Sequence, residues 1–235
     1  GEFTAQNIGG ASVNTIGKGA FSHNTKLTSI VLPTVTVVGD YGLSSVERLT
    51  SVSFGQLTYI GEYAFFETAI SQMPDFNKDT QICRYAFGYT KLTSVTIPDG
   101  MTLEEGVFAQ CKDLQTVVIG NDVTVGKFAF NMDKDESYNV EEYMENDTKY
   151  FRYVFGSALE SLTIGDNAVL GDNCFAGHAS MEAVTLGKNA QVGKMAFYNC
   201  TGLKYIDLSA ATTIGEYAFS GDEYYVCMDR DMQIY

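Results

Sequence analysis

Ile60-Gly61-Glu62-Tyr63-Ala64-Phe65 decides how this chain is read, because its pattern occurs nine times. The slots are large aliphatic, Gly, charged, variable, small, then Phe. Copies begin at Ile16, Val38, Ile60, Ile82, Leu103, Val125, Leu170, Val192 and Ile214, at spacings of 22, 22, 22, 21, 22, 45, 22 and 22 residues. The gap of 45 is one period plus an insertion. A fixed period of this length marks a stacked solenoid, in which each unit needs its neighbours to bury an apolar face.

Each slot carries a structural expectation. Slot one is always Ile, Val or Leu and points inward. Slot two is Gly in seven copies, with Cys83 and Glu104 in the others. That preference calls for either a positive φ or a close backbone approach between coils. Slot three is charged in all nine copies, both signs mixed, and faces water. Slot five is small. Slot six is Phe in eight copies and Leu43 in one, which predicts an interior column of rings.

A second phrase, L-x-x-φ-x-φ with φ apolar, follows most copies, as in Leu92-Thr93-Ser94-Val95-Thr96-Ile97. Its terminal alternation has the period of a strand. After Phe65 the phrase is irregular, because Asp75 takes an apolar slot, and a local distortion is expected there. Strands stacked at about 4.7–4.9 Å make nine coils a rod of about 40 Å. The expected organisation is a single solenoid over residues 1–235, an insertion over 131–157, and a non-repeat cap or tail over 220–235.

The φ-G-x-x-A-F phrase followed by L-x-x-φ-x-φ-P resembles the BspA-like leucine-rich repeat family of bacterial surface proteins. Ile16 to Phe21, Ile60 to Phe65, Ile214 to Phe219 and Leu92 to Pro98 carry the likeness, with Cys111 and Cys200 in the family's Cys slot three residues after Phe. The resemblance implies a right-handed superhelix, with a parallel sheet of short strands on one face and turns or short 3-10 or α segments on the other. It also implies a surface or secreted protein used in adhesion or interaction, with no catalytic residues and no cofactor.

Composition narrows the partners. The net charge is −14 and the sequence pI about 4.4, which argues against nucleic acid or an anionic membrane as partner. No apolar run is long enough to span a bilayer. The chain opens Gly1-Glu2-Phe3 without Met, which fits an exported protein whose signal has been removed. Of five cysteines, all but Cys227 read as small buried residues. Cys111 and Cys200 lie three coils apart, about 14 Å, too far for a disulfide.

Chemistry is sparse. His23 and His178, the only histidines, lie too far apart in the repeat to act together and read as surface or capping residues. No nucleophile-elbow, zinc-protease or phosphate-loop pattern occurs. Asp133-x-Asp135 lacks the remaining ligands of a calcium loop. Two surfaces remain as candidate binding sites. One is the acidic, Tyr-rich insertion, with Asp135, Glu136, Tyr138, Glu141, Glu142, Tyr143 and Tyr150, read as a surface loop. The other is the outward strand face, with Ser51, Ser53, Ser94, Thr96, Thr185, Tyr205 and Asp207. Its hydroxyls also have a plain structural explanation, since paired Ser and Thr on adjacent strands contribute about 0.2–1 kcal/mol. Tyr41, Tyr63 and Tyr85 in slot four are expected to stack, with their hydroxyls in water.

These features favour a non-enzymatic interaction module for an extracellular protein or glycan. The alternative is a rigid spacer presenting another domain. A carbohydrate hydrolase using Glu141 and Glu142 is remote, since adjacent residues on a loop are poorly preorganised.

Overall fold

The phrase L-x-x-φ-x-φ becomes a strand in almost every coil. The computed structural model describes residues 1–132, 140–145, 148–153, 157–221 and 233–234. Ser94–Ile97 alternates exposed and buried residues along its length, and Ser161–Ile164 does the same. All strand pairs of the solenoid are parallel, with one residue of each coil facing its equivalent in the next: Ser94 pairs with Thr116, and Thr116 with Ser161. A second line of short strands comes from slot one and the residue before it, as at Tyr59–Ile60 and Thr124–Val125. The two lines enclose one apolar core. The opposite side consists of turns; the 3-10 helix Ala5–Ile8 is the single helix among the described residues.

Slot six makes the predicted column. Phe65, Phe87, Phe108, Phe130, Phe175, Phe197 and Phe219 stack in sequence, with centroids 4.9–5.5 Å apart and planes within 15°. These separations lie within the favourable range for aromatic pairs.

The two readings of the slot-two glycine separate cleanly. None of these glycines has positive φ. A Cβ on Gly61 would sit 2.5 Å from the Asp40 backbone nitrogen, and one on Gly171 would sit 2.6 Å from the Val125 carbonyl oxygen. Close approach is therefore what the slot requires. Positive φ falls instead on slot four, where all nine residues lie between 54° and 64°. That turn aims the Tyr63 N–H at the Arg84 carbonyl of the next coil, while the Gly61 N–H donates back to Val38 of the preceding coil at 2.8 Å. Adjacent coils are thus tied in both directions.

Two interruptions mark the repeat, and only the first breaks the strand face. No strand forms over residues 71–76, so the strand face divides after Ser51–Phe54 and resumes at Ser94–Ile97. Pro74, which has no N–H for a ladder, sits in that stretch. This is the distortion expected after Phe65. The second is the insertion, which leaves the stack intact. Phe130 and Phe175 lie on either side of it in sequence, yet their rings stack at 4.9 Å and 5°. Within it, Val140–Glu145 and Thr148–Tyr153 pair antiparallel.

His178 lies at the root of the insertion and corrects a sequence expectation. It is 1 % exposed, so it is not a surface residue. It occupies the slot three residues after Phe, where Cys111 and Cys200 donate to the Phe carbonyl of the preceding coil at 3.2 Å each. The His178 Nε2 uses the equivalent acceptor, the Phe130 carbonyl, at 2.7 Å, and its Nδ1 lies 2.6 Å from the Ser157 hydroxyl. A carbonyl oxygen only accepts, so Nε2 carries the proton and Nδ1 accepts from Ser157. One imidazole thereby ties Phe130, the residue just before the insertion, to Ser157, the last residue of the insertion. Burial pulls its pKa down from 6.5 to about 4, against the opposing effect of the Phe130 bond.

This burial has a pH signature. Between about pH 6.5 and 4 the unfolded chain binds a proton that the folded chain refuses. Stability is therefore full above pH 6.5 and falls as pH drops through that window, by about 3 kcal/mol. Urea unfolding of wild type and His178→Asn at pH 7 and pH 4 checks this. The variant should lose less stability on acidification; equal losses would contradict it.

Candidate interaction surfaces

The strand face is built by alternation. With Val95, Ile97, Val117, Ile119, Leu162 and Ile164 buried, the residues between them must face outward. Ser51, Ser53, Ser94, Thr96, Thr185 and Tyr205 are exposed and Asp207 half-exposed, as the sequence predicts. Register aligns them into two rows across the coils: Ser94, Thr116 and Ser161 in one, Thr163 and Thr185 in the other. The plain explanation of this ladder is modest stabilisation by Ser and Thr pairs on adjacent strands. Among the described residues, however, the hydroxyls of Ser51, Ser53, Ser94, Thr96, Thr116, Ser161, Thr163 and Thr185 bond to no other protein group. Their hydrogen-bonding capacity is left to solvent or to a partner.

The insertion is described only in part. Asp135, Glu136 and Tyr138 lie outside the described residues, as does Cys227. Glu141, Glu142, Tyr143 and Tyr150 lie on the antiparallel pair, with Tyr143 opposite Tyr150 in backbone register. They therefore sit on strands, where the sequence reading had a loop.

Slot four gives a third surface, which the sequence reading treated as ordinary packing. Tyr41, Tyr63 and Tyr85 stack with centroids 5.2 Å apart and planes within 7°. Their backbone φ values are 54–55°, a conformation that Gly19, Gly106 and Asn173 meet at little cost in the same slot. For a bulky residue it costs about 1–2 kcal/mol. Against this stand the two stacking contacts, at about 0.5–1.5 kcal/mol each beyond the apolar area they bury, and the Tyr63–Phe66 edge contact at 5.2 Å. The strip lies beside a charged row. Arg84 places Nε 3.0 Å and an Nη 3.1 Å from the two Glu62 carboxylate oxygens. Lys18 Nζ lies 5.9 Å from the Tyr41 ring centroid. Burial foremost, and then the nearby Glu105 carboxylate, raises the pKa of Tyr85.

The remaining groups are poor chemistry. The Cys111 thiol is pushed up to about 11 and Cys174 higher still, both chiefly by burial, so neither forms a ready thiolate. Cys83, Cys111, Cys174 and Cys200 are free and buried, as predicted. The Ser157–His178 pair, which sequence reasoning missed, resembles a nucleophile and its base. An imidazole with a pKa of about 4, fixed to a carbonyl through Nε2, is nevertheless a weak proton acceptor at neutral pH. Among the described residues, no cluster of three His, Cys, Asp or Glu side chains could hold a metal, and no helix is long and apolar enough to cross a membrane.

The match to a repeat-family profile agrees with this architecture. The profile of the BspA type leucine rich repeat region matches in six copies, over residues 14–137, 80–167 and 147–225. A crystal structure of a leucine-rich repeat protein from Bacteroides ovatus, at 1.19 Å resolution, aligns over 100 % of this chain and 83 % of its own, with 17 % identity and a TM-score of 0.38. No curated protein matches. With the repeat profile running from residue 14 to residue 225 and the coils stacked as parallel strands, the chain belongs to the BspA-type leucine-rich repeat family.

Proposed function

We propose that this chain is a non-enzymatic interaction module of an exported or surface-attached protein, binding an extracellular protein or glycan through its strand face. The carrying observation is the set of outward hydroxyls, aligned across the coils, that bond to no other group among the described residues. Such a face can donate and accept at regular intervals without first breaking an intramolecular bond. Membership of an exported bacterial repeat family supports the location. The acidic insertion, residues 131–157, is a second proposed contact; it departs from the repeat while its flanking coils stay stacked.

A rigid spacer is the second reading, favoured by the unbroken ring column. The two readings are separated by screening the chain against extracellular-matrix proteins, mucins and a glycan array. Binding that is lost in T96K/T163K/T185K, which adds bulk and charge to one row, supports the strand face. Absence of any binding, or binding indifferent to these substitutions, overturns it.

Deleting residues 133–156 behind a short Gly-Ser link, while keeping buried Asn131 and Met132 and the Ser157 partner of His178, should leave a cooperative melt within a few degrees of wild type. A fall of tens of degrees would show that the insertion supports the solenoid.

A further inference from the structure

The slot three residues after Phe caps a Phe carbonyl in coil after coil, and one coil fills it with a group that titrates. Cys111 and Cys200 donate from this slot to the Phe87 and Phe175 carbonyls at 3.2 Å each. Thr68 and Thr90 donate from it to the Phe65 and Phe87 carbonyls of their own coils. None of these groups changes charge in mildly acidic water, whereas an imidazole does. The one imidazole in this slot, His178, belongs to the coil that follows the insertion. Its Nε2 caps the Phe130 carbonyl, and its Nδ1 holds the Ser157 hydroxyl at the C-terminal root of the insertion.

Ser157 is gripped at two points. The Ser180 hydroxyl donates to its carbonyl at 2.6 Å, and its own hydroxyl donates to His178 Nδ1. The same hydroxyl oxygen receives the Leu159 N–H at 3.3 Å. Among the described residues, Nδ1 is the one acceptor for the Ser157 proton. If Nδ1 takes a proton, that acceptor becomes a donor aimed at an oxygen that Leu159 already occupies. The titratable groups on the surrounding elements are Glu160 beyond Ser157, Cys174 in the same coil, and Tyr198 and Cys200 in the next, while Lys127 and Asp172 pair with each other in the exposed charged row. Burial and the Phe130 bond act on the imidazole, and none of these side chains does, so a proton there meets no counter-charge. The least costly relief is local. Opening at Ser157 lets water reach Nδ1 and gives up the Ser180 bond, while Nε2 keeps the Phe130 carbonyl. Melting the coils would instead unstack Phe130, Phe175 and Phe197, whose rings lie 4.9 and 5.5 Å apart.

We propose that His178 is an acid-operated catch on the C-terminal root of the insertion: when the imidazole takes a proton, Ser157 is released while the coils on either side stay stacked. The closed root binds the proton less readily than the open one, so opening takes up a proton and is favoured as pH falls. At neutral pH the catch is shut, because the neutral imidazole accepts from Ser157. An effect of acid on binding through residues 131–157 rests on the contact proposed above; the catch itself does not.

The test is amide hydrogen exchange by NMR on the whole chain at pH 7 and pH 5, with rates corrected for the intrinsic effect of pH. The reporter is the Leu159 amide, which bonds to the Ser157 hydroxyl. The Phe108 and Phe175 amides, which donate to the next coil at 2.6 and 2.8 Å, report on the stack. Corrected exchange at Leu159 should be about tenfold faster at pH 5 than at pH 7. A local opening exposes little surface, so this exchange should stay flat in urea below the unfolding transition, while exchange at Phe108 and Phe175 accelerates. His178→Cys supplies the thiol that caps the equivalent carbonyl from Cys111 and Cys200, and it should remove the acid step at Leu159. If that variant does not fold, His178→Asn, which can also donate to the Phe130 carbonyl, decides in its place. The proposal is overturned if acid leaves Leu159 unchanged, if Leu159 follows urea in step with the stack amides, or if the non-titrating variant keeps the acid step.

Discussion

Everything in this molecule depends on coils approaching to about 5 Å without interruption. At that distance a strand can hydrogen-bond its neighbour, and one phenyl ring can lie on the next. In seven of the nine coils slot two carries no side chain, and the space a Cβ would occupy at Gly61 or Gly171 is filled by the backbone of the preceding coil. Backbone bonds then run from slot two to the coil before and from slot four to the coil after. Core, sheet and surface rows all inherit the same spacing.

That constraint explains why function is displaced to the outside. Slots one, five and six are consumed by packing, and slot two by the absence of a side chain. Residues free to vary are those outside the ladder: the outward rows of the strand face, the charged and variable slots of the phrase, and the insertion. The surface rows are periodic because the backbone is. On the strand face each coil adds one or two hydroxyls that bond to no other group among the described residues, and at slot four three successive coils add one stacked tyrosine each. Such arrays suit elongated partners better than compact ones.

Much of this was legible in the sequence. The period, the ring column, the outward hydroxyls and the break near Pro74 followed from spacing and alternation, which are local and survive in one dimension. The features that were missed depend on neighbours from other coils. Positive φ belongs to slot four, yet glycine is commonest at slot two, because the stronger demand is on space between coils. His178 was read as a surface residue because its partners, Phe130 and Ser157, lie 48 and 21 residues away. Its equivalence to Cys200, in the same slot of the next coil, was the signal that could have placed it inside. The tyrosine strip was noticed, but its strain and its arginine neighbour are properties of the folded backbone.

The most direct measurement of the central claim compares two identical substitutions in the same slot. Gly17 belongs to the first coil, and a Cβ there meets nothing within 4 Å, whereas one on Gly171 meets three backbone atoms of the preceding coil, in Val125, Gly126 and Lys127, within 2.9 Å. Neither residue has positive φ, so backbone preference is matched. Urea unfolding should find Gly17→Ala within about 0.5 kcal/mol of wild type and Gly171→Ala destabilised by about 2 kcal/mol or more. Equal stability of the two variants would contradict the claim that close coil approach governs this fold.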